Sequence, residues 1–591
     1  MIKKWMICLH LWMVMLVPGK LAAQSSFSFN KYHSNEEIQQ ILEEIQQKDP
    51  DKYQLHTITT SPGGNPIQIL EIGSHMKNVP AIFVGANFEG HIPLAAEGAL
   101  RLAQMVTDSS EYLSGMKWYV LPQPNPDAAA GFFAELKYNR KVNNLAINND
   151  MDEAINEDGF DDLNGDGVIT RMRVKSLKGT HIISKKDPRI MVKADPQKGE
   201  RGIYKMMTEG LDNDNDGKYN EDAEGGINPG IAFPHLFPGE KKEAGLWSGQ
   251  TPEAHHILRF IYDRTQIAMV FTLGSTNFFQ VPPKGGRKGD ANLDKIKIPS
   301  RYARVFGVDA SQTYSMDEVI KMLKENVPDG MEVTPSMVAG MLGLGAAVNP
   351  LKEDLVFYNK FAEEYKEYLK KKDFSLENLD PVPAKNGSFE LWAYYHLGVP
   401  SFSMNLFSVP KVKEKKAEDE ILTLTDVEKM EKDEFIDLGE EKIAQFLKEQ
   451  NAPERMKAKG IMEMMESGKL TPGKMVEMIK KMGDGDKEKD KISEKDKALL
   501  AWSEKEWNGE GFVEWEKVDH PDFEEVEVGG YVPYLETTPR EERIDSLLNA
   551  QLPWLLQITK KRPVIGFSGE KLTDLGAGVY KLELFIENSG E

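Results

Sequence analysis

Apolar positions recur along this chain in two periods, and the places where one gives way to the other mark its elements. Ile38, Ile41, Leu42 and Ile45 fall on one side of a helix, with Ser34 placed to cap it and Glu36 and Glu37 in its first turn. His56 to Thr60 and Ile67 to Ile72 alternate around Pro62-Gly-Gly-Asn-Pro66, the pattern of a hairpin. Val79 to Val84 and Trp118 to Leu121 are short apolar runs of the interior-strand kind, and Ala95 to Val106 between them has helical spacing. Further strands are expected at Arg562 to Phe567 and at Gly578 to Glu587. Helices are expected at Met316 to Glu325, Leu355 to Leu369 and Glu541 to Thr559. Strands and helices in alternation predict an α/β fold.

At the first strand-to-helix junction stands Gly85-Ala-Asn-Phe-Glu-Gly-His-Ile-Pro-Leu-Ala-Ala-Glu97. Glycine, acid and histidine at such a junction are the groups α/β proteins place around ligands, so Glu89 and His91 are the first candidates for chemistry.

Composition narrows the partners. A net charge of -21 over 591 residues excludes a phosphate-neutralising role on nucleic acid or anionic lipid and suits a cation such as calcium. Met1 to Ala23 has Lys3 and Lys4, an apolar run from Trp5 to Val17, and Leu21-Ala22-Ala23 ahead of Gln24, which reads as a cleaved signal peptide. A periplasmic or secreted protein without a transmembrane segment in the mature chain is expected. The single cysteine, Cys8, lies within that leader, so the mature chain has no thiol for a disulfide, a nucleophile or zinc.

An acidic repeat is the clearest metal signal. Asn148, Asp150, Asp152, Asn156 and Asp158 align without a gap to Asp212, Asp214, Asp216, Asn220 and Asp222, where Lys218 offers a backbone carbonyl. A third relative contributes Asp162, Asn164 and Asp166. Oxygens at alternate positions followed by a turn glycine wrap a hard cation, and two or three Ca²⁺ loops are expected. None has a twelfth-position Glu, so they resemble dockerin-like or thrombospondin-like loops more than sensor EF-hands.

The helix, hairpin, junction motif and the strand ending Pro122-Gln-Pro-Asn-Pro-Asp together resemble the zinc carboxypeptidases, peptidase family M14. Ser248-Gly-Gln-Thr-Pro-Glu253 is similar to that family's Ser-Glu-Pro-Glu element. Gly387-Ser-Phe-Glu-Leu-Trp-Ala-Tyr-Tyr-His-Leu-Gly-Val-Pro400 is similar to the segment before its catalytic glutamate. The resemblance implies a carboxypeptidase-like mixed β-sheet flanked by helices over residues 27–410, holding the acidic insertion 148–222. A charged, Met-rich helical region, 411–498, would follow. Next come a family-specific extension, 499–560, and the start of a β-sandwich-like segment, 561–591.

Members of the family bind zinc through His-x-x-Glu and a later His, use a glutamate as general base, and hold the substrate carboxylate with arginines and an Asn-Arg pair. In register with them, this chain has Glu89 at the first ligand and Ile92 at the second. The resemblance implies a strand over Ile267 to Thr276, with Leu273 or Gly274 at the third ligand, and another from Ser401 with Asn405 in place of the base; Gly230 and Ile231 replace the Asn-Arg pair. Arg140 lies near a family arginine. Isoleucine has no lone pair to donate and an amide takes no proton at neutral pH. The expectation is a non-peptidase homologue, a pseudoenzyme whose cleft binds a peptide, cell-wall fragment or protein partner. Calcium would be its metal, and zinc, the family cofactor, would be absent. The alternatives are an active metallocarboxypeptidase with Glu89 and His91 as remodelled zinc ligands, and a structural subunit of an envelope complex.

Overall fold

A computed structural model describes residues 28–588 except 114, 148–154, 156–158, 197–198, 214–216, 218, 220–225, 284–295, 300–301, 304–306, 310–311, 325–332, 334–337, 339–341, 343–349, 413–421, 423, 450–451, 453–455, 469, 484–491 and 562–564. The proposed leader, and with it Cys8, lies outside the described residues.

The centre is a six-stranded mixed sheet. Strands β1 (Tyr53–Thr60) and β2 (Pro66–Ile72) form the expected hairpin, followed by β3 (Ala81–Ala86) and β4 (Lys117–Leu121). With β9 (Ile267–Leu273) and β12 (Ser401–Met404) they run in the order β1-β2-β4-β3-β9-β12. The β4, β3, β9 and β12 neighbours are parallel, with Phe83 opposite both Tyr119 and Val270. All six residues of β3 are buried, as a parallel strand covered on both faces requires.

Alternation sorts the side chains of β3 into two cores. Ile82 and Val84 pack with helices Asn35–Lys48, Pro93–Thr107, Lys352–Lys370 and Ile544–Lys560; Ala81 and Phe83 pack with Pro252–Tyr262 and Phe389–Trp392. The first helix starts as its sequence dictates. Ser34 Oγ accepts the Glu37 amide at 3.3 Å while Glu37 accepts the Ser34 amide at 3.0 Å, a reciprocal cap. The helix Ile544–Lys560 lies against Pro93–Thr107, burying Leu548, Leu552 and Leu555.

A second six-stranded sheet is antiparallel and draws on two distant parts of the chain. The insertion supplies β5 (Arg171–Lys175), β6 (His181–Ile183), β7 (Met191–Lys193) and β8 (Tyr204–Thr208). The later extension supplies β13 (Phe512–Val518) and β14 (Val526–Tyr531), and the order is β13-β14-β5-β8-β6-β7. Arg173 ties the halves together: its guanidinium meets Glu527 at 2.8 Å and lies over the Trp515 ring at 4.5 Å.

Strands β10 (Ile296–Lys297) and β11 (Thr313–Tyr314) make a small ribbon beside helix Met316–Lys324. The Met-rich region forms its own core, in which Met465 and Met475 pack with Phe435, Ile443, Phe446 and Ile461. The chain closes with the ribbon β15 (Ile565–Gly576) and β16 (Val579–Asn588). No helix among the described residues is long and apolar enough to cross a membrane.

Candidate functional site

Parallel strands β3, β9 and β12 end at the same edge of the sheet, and the turn after β3 carries the charged pair. Asn87 takes a positive φ of 49° and Gly90 one of 73°. Asn87 Oδ1 accepts the Ile92 amide at 2.9 Å, and its Nδ2 donates to Gly90 O at 3.2 Å and to Gln123 at 2.9 Å. A Cβ on Gly90 would sit 2.4 Å from that of Ala128, so only glycine closes the turn. The tight turn defeats the alternation that an extended strand would impose. Glu89 Oε2 and His91 Nδ1 therefore converge to 3.7 Å, both side chains buried.

Two lysines reach Glu89 from elsewhere in the chain. Lys385 Nζ donates to Oε1, and Lys141 Nζ lies 3.5 Å from Oε2. Burial alone would raise the Glu89 pKa, but His91, Lys385 and Lys141 outweigh it and hold the carboxyl at about 2. Burial pushes His91 down to about 4, against the pull of Glu89. At neutral pH the pair is a carboxylate beside a neutral imidazole, and its counter-charges are the lysines.

Behind the pair stands Glu390, fully enclosed, accepting the Thr276 hydroxyl at 2.9 Å; burial raises its carboxyl above the ordinary range. Glu89, Lys385 and Glu390 line a cleft of about 30 Å³, room for about one water molecule. Gly230 is part of the same packing. A Cβ there would meet Glu89 Cγ at 2.6 Å, so this position is small because the Glu89 side chain occupies the space.

The remaining expected positions have structural partners. Asn405, at the end of β12, accepts from Asn277 at 2.6 Å and donates to Ser408 Oγ at 3.2 Å and Asp380 O at 3.3 Å. Ile92 opens helix Pro93–Thr107, Ile231 is buried, and Leu273 ends β9 inside the core with Gly274 beyond it. Arg140 is buried, and its guanidinium donates to Val142 O at 3.0 Å, to Asn143 O at 3.2 Å and to Asn144. Glu253, in the Ser248–Glu253 element, is buried and takes the Asn143 amide at 3.0 and 3.1 Å.

For the acidic loops, Asp162 accepts amides from Gly165 and Gly167, both at 2.7 Å, while Asp166 Oδ1 accepts Val168 N at 2.9 Å. Buried Glu209 anchors the loop, taking Leu163 N at 3.0 Å and Thr170 N at 2.8 Å. Asp212 accepts Gly217 N at 2.9 Å, and Asn213 Nδ2 donates to Asp161 at 2.9 Å, which sets the second and third loops side by side. Asn148, Asp150, Asp152, Asn156, Asp158, Asp214, Asp216, Lys218, Asn220 and Asp222 lie outside the described residues.

Sequence reasoning missed Lys141, Lys385 and Glu390, and also a cavity of about 590 Å³. It adjoins the Glu89 cleft through Ile92, Gly274 and Ser275, and continues past Asn405 and Phe407 to Leu499 and Thr537. Apolar walls carry a rim of both signs, with Lys411 3.5 Å from Asp380 and Lys495 2.7 Å from Glu536.

A sheet that gathers its polar groups at the ends of parallel strands defines an α/β protein with a cleft at that edge. Residues 38–168 match the family model of the zinc carboxypeptidases, peptidase family M14. Similar solved structures include carboxypeptidase A from Helicoverpa armigera, at 13% identity over 68% of this chain and 71% of that one, with a TM-score of 0.34. Bovine thrombin-activatable fibrinolysis inhibitor, in complex with tick carboxypeptidase inhibitor, is 13% identical over 66% and 88%, with a TM-score of 0.31. A metallo-carboxypeptidase from Burkholderia cenocepacia is 10% identical over 63% and 60%, with a TM-score of 0.27. No curated protein matches the chain.

The residues at the site do not fit zinc. Among the described residues no three His, Cys, Asp or Glu side chains gather closely enough to hold a metal ion. The carboxylate that would bind one is already neutralised by two ammonium groups, which repel a dication at the same point.

Proposed function

We propose that this chain is a non-peptidase member of the zinc carboxypeptidase family that binds a peptide, cell-wall fragment or protein partner without hydrolysing it. One observation carries the reading: Lys141 and Lys385 stand on Glu89 where the family's first zinc ligand would be. A metallopeptidase needs a metal to polarise the scissile carbonyl and generate hydroxide, and a base to take the proton. Here Ile92 offers no donor, and Asn405 is committed to Asn277, Ser408 and Asp380. The cavity of about 590 Å³ beside these residues is the size of a ligand site, and its mixed-charge rim suits a zwitterionic or peptide ligand. Calcium is the metal of the proposal, held by the Asp162 and Asp212 loops in a protein sent to the periplasm or beyond.

A second reading is supported by the turn at Gly90, which draws Glu89 and His91 to 3.7 Å and so meets the geometric condition for a remodelled zinc pair. One experiment separates the two. The purified protein is analysed for bound metals and incubated with peptides of varied C-termini. Calcium without zinc, and intact peptides, are expected. Stoichiometric zinc together with release of C-terminal residues would overturn the proposal and establish the second reading.

A further inference from the structure

Among the described residues, strands β15 and β16 are joined to each other and to no further strand. Their register pairs Phe567 with Ile586, Leu572 with Leu582, Lys571 with Glu583 and Thr573 with Lys581. Cross-strand partners share a face, and alternate residues change face. Ile565, Phe567, Leu572, Leu582, Leu584 and Ile586 therefore cover one side of the ribbon. Lys571, Thr573, Lys581, Glu583 and Glu587 occupy the other, together with two apolar residues, Val579 and Phe585.

That pattern belongs to a half-buried sheet, yet the six apolar side chains are 40–72% exposed. A two-stranded ribbon is marginal by itself and needs a layer against its apolar face. At these exposures the six side chains present on the order of 700 Å², close to the roughly 800 Å² that each partner of a standard interface contributes. The charges on the strands, apart from Asp574 near the tip, sit on or beside the opposite face, so an identical face can be laid on this one about a two-fold axis without burying an ion.

We propose that this apolar face is a homodimer interface. The ribbons of two chains stack face to face into a four-stranded, two-layer β-sandwich, and the two carboxypeptidase-like domains are carried on either side of it. None of the residues that line the Glu89 cleft belongs to the ribbon.

The test is the solution mass of the full chain by light scattering across a wide concentration range, beside Leu582→Lys/Ile586→Lys. The unaltered protein should have twice the single-chain mass and dissociate on dilution. The double variant should have the single-chain mass at every concentration, with an unchanged far-UV circular dichroism spectrum and thermal midpoint. A single-chain mass for the unaltered protein throughout would overturn the proposal. So would a dimer that persists in the variant, or an open series of larger assemblies, which would mean edge-to-edge pairing instead. Deleting 562–591 checks the same point by a route that does not depend on how lysine is tolerated in a strand, and should also give the single-chain mass.

Discussion

Replacing Lys141 and Lys385 together by methionine keeps their aliphatic stems and removes both ammonium groups from Glu89. The carboxyl is held at about 2 against an ordinary 4.5. That is about 2.5 units, or ~3 kcal/mol at ~1.36 kcal/mol per unit. His91 is the largest of the groups that lower it, ahead of Lys385 and Lys141, so the lysines carry only part of that figure. Their side chains are 40% and 37% exposed, and discounting for solvent screening leaves at most about 2 kcal/mol. The sign follows from the depressed pKa. The contribution is fully present above 4.5 and is lost as pH falls from 4.5 through 2. Urea unfolding at neutral pH should show the double variant less stable by up to about 2 kcal/mol, with the gap closing in the acid range. Glu89→Gln should cost only about 1 kcal/mol, because the freed ammonium groups can turn into water whereas a lone buried carboxylate cannot. The reasoning fails if Glu89→Gln is the costlier change, or if the double variant stays within about 0.5 kcal/mol of the parent at every pH.

Gly230→Ala puts a methyl 2.6 Å from Glu89 Cγ and 3.0 Å from Asn228 Oδ1, and should cost ~1–3 kcal/mol by denaturant unfolding. In a Glu89→Ala background that cost should fall by at least half, and full additivity would disprove the contact. Burial, with His396 3.3 Å away, also lowers the pKa of His235 to about 4, as burial does that of His91. Both stay neutral in the fold while the unfolded chain protonates near 6.5, so stability should be greatest above that pH and fall between 6.5 and 4. His91 accounts for up to about 3 kcal/mol of the fall, and a urea midpoint flat across this window would refute the assignment.

What could be read from the sequence was local. The Ser34 and Glu37 cap, the Ile38 face and the interior strands follow from residues within one turn or one pleat of each other. The expected strand from Val79 begins at Ala81 instead, because Pro80 has no amide to enter the ladder and serves only as an acceptor, taking Lys117 N at 2.9 Å. The Glu89 and His91 pair was visible, and so was the absence of donors at Ile92. The cations were not, since Lys385 lies 296 residues from Glu89 and nothing nearby marks it. Arg140 drew attention as a clamp while its neighbour Lys141 is the one that reaches the site. The antiparallel sheet was hidden for the same reason. Arg171-Met-Arg-Val-Lys175 alternates, but its partner Val526–Tyr531 lies some 350 positions later, in what reads as a separate extension.

The helix Ile544–Lys560 has a consequence for how such a chain is made. It covers the helix that follows the Glu89 turn, burying Leu548, Leu552 and Leu555 there, and β13 and β14 complete a sheet begun near residue 171. The sheet cannot close until residue 531 has been made, nor the helix layer until residue 560. For most of its synthesis the nascent protein displays an uncovered apolar helix face and an open sheet edge, the two surfaces that invite aggregation. Fragments ending near residue 410 would keep every residue of the cleft-edge turn and still lack the layer that holds it in place.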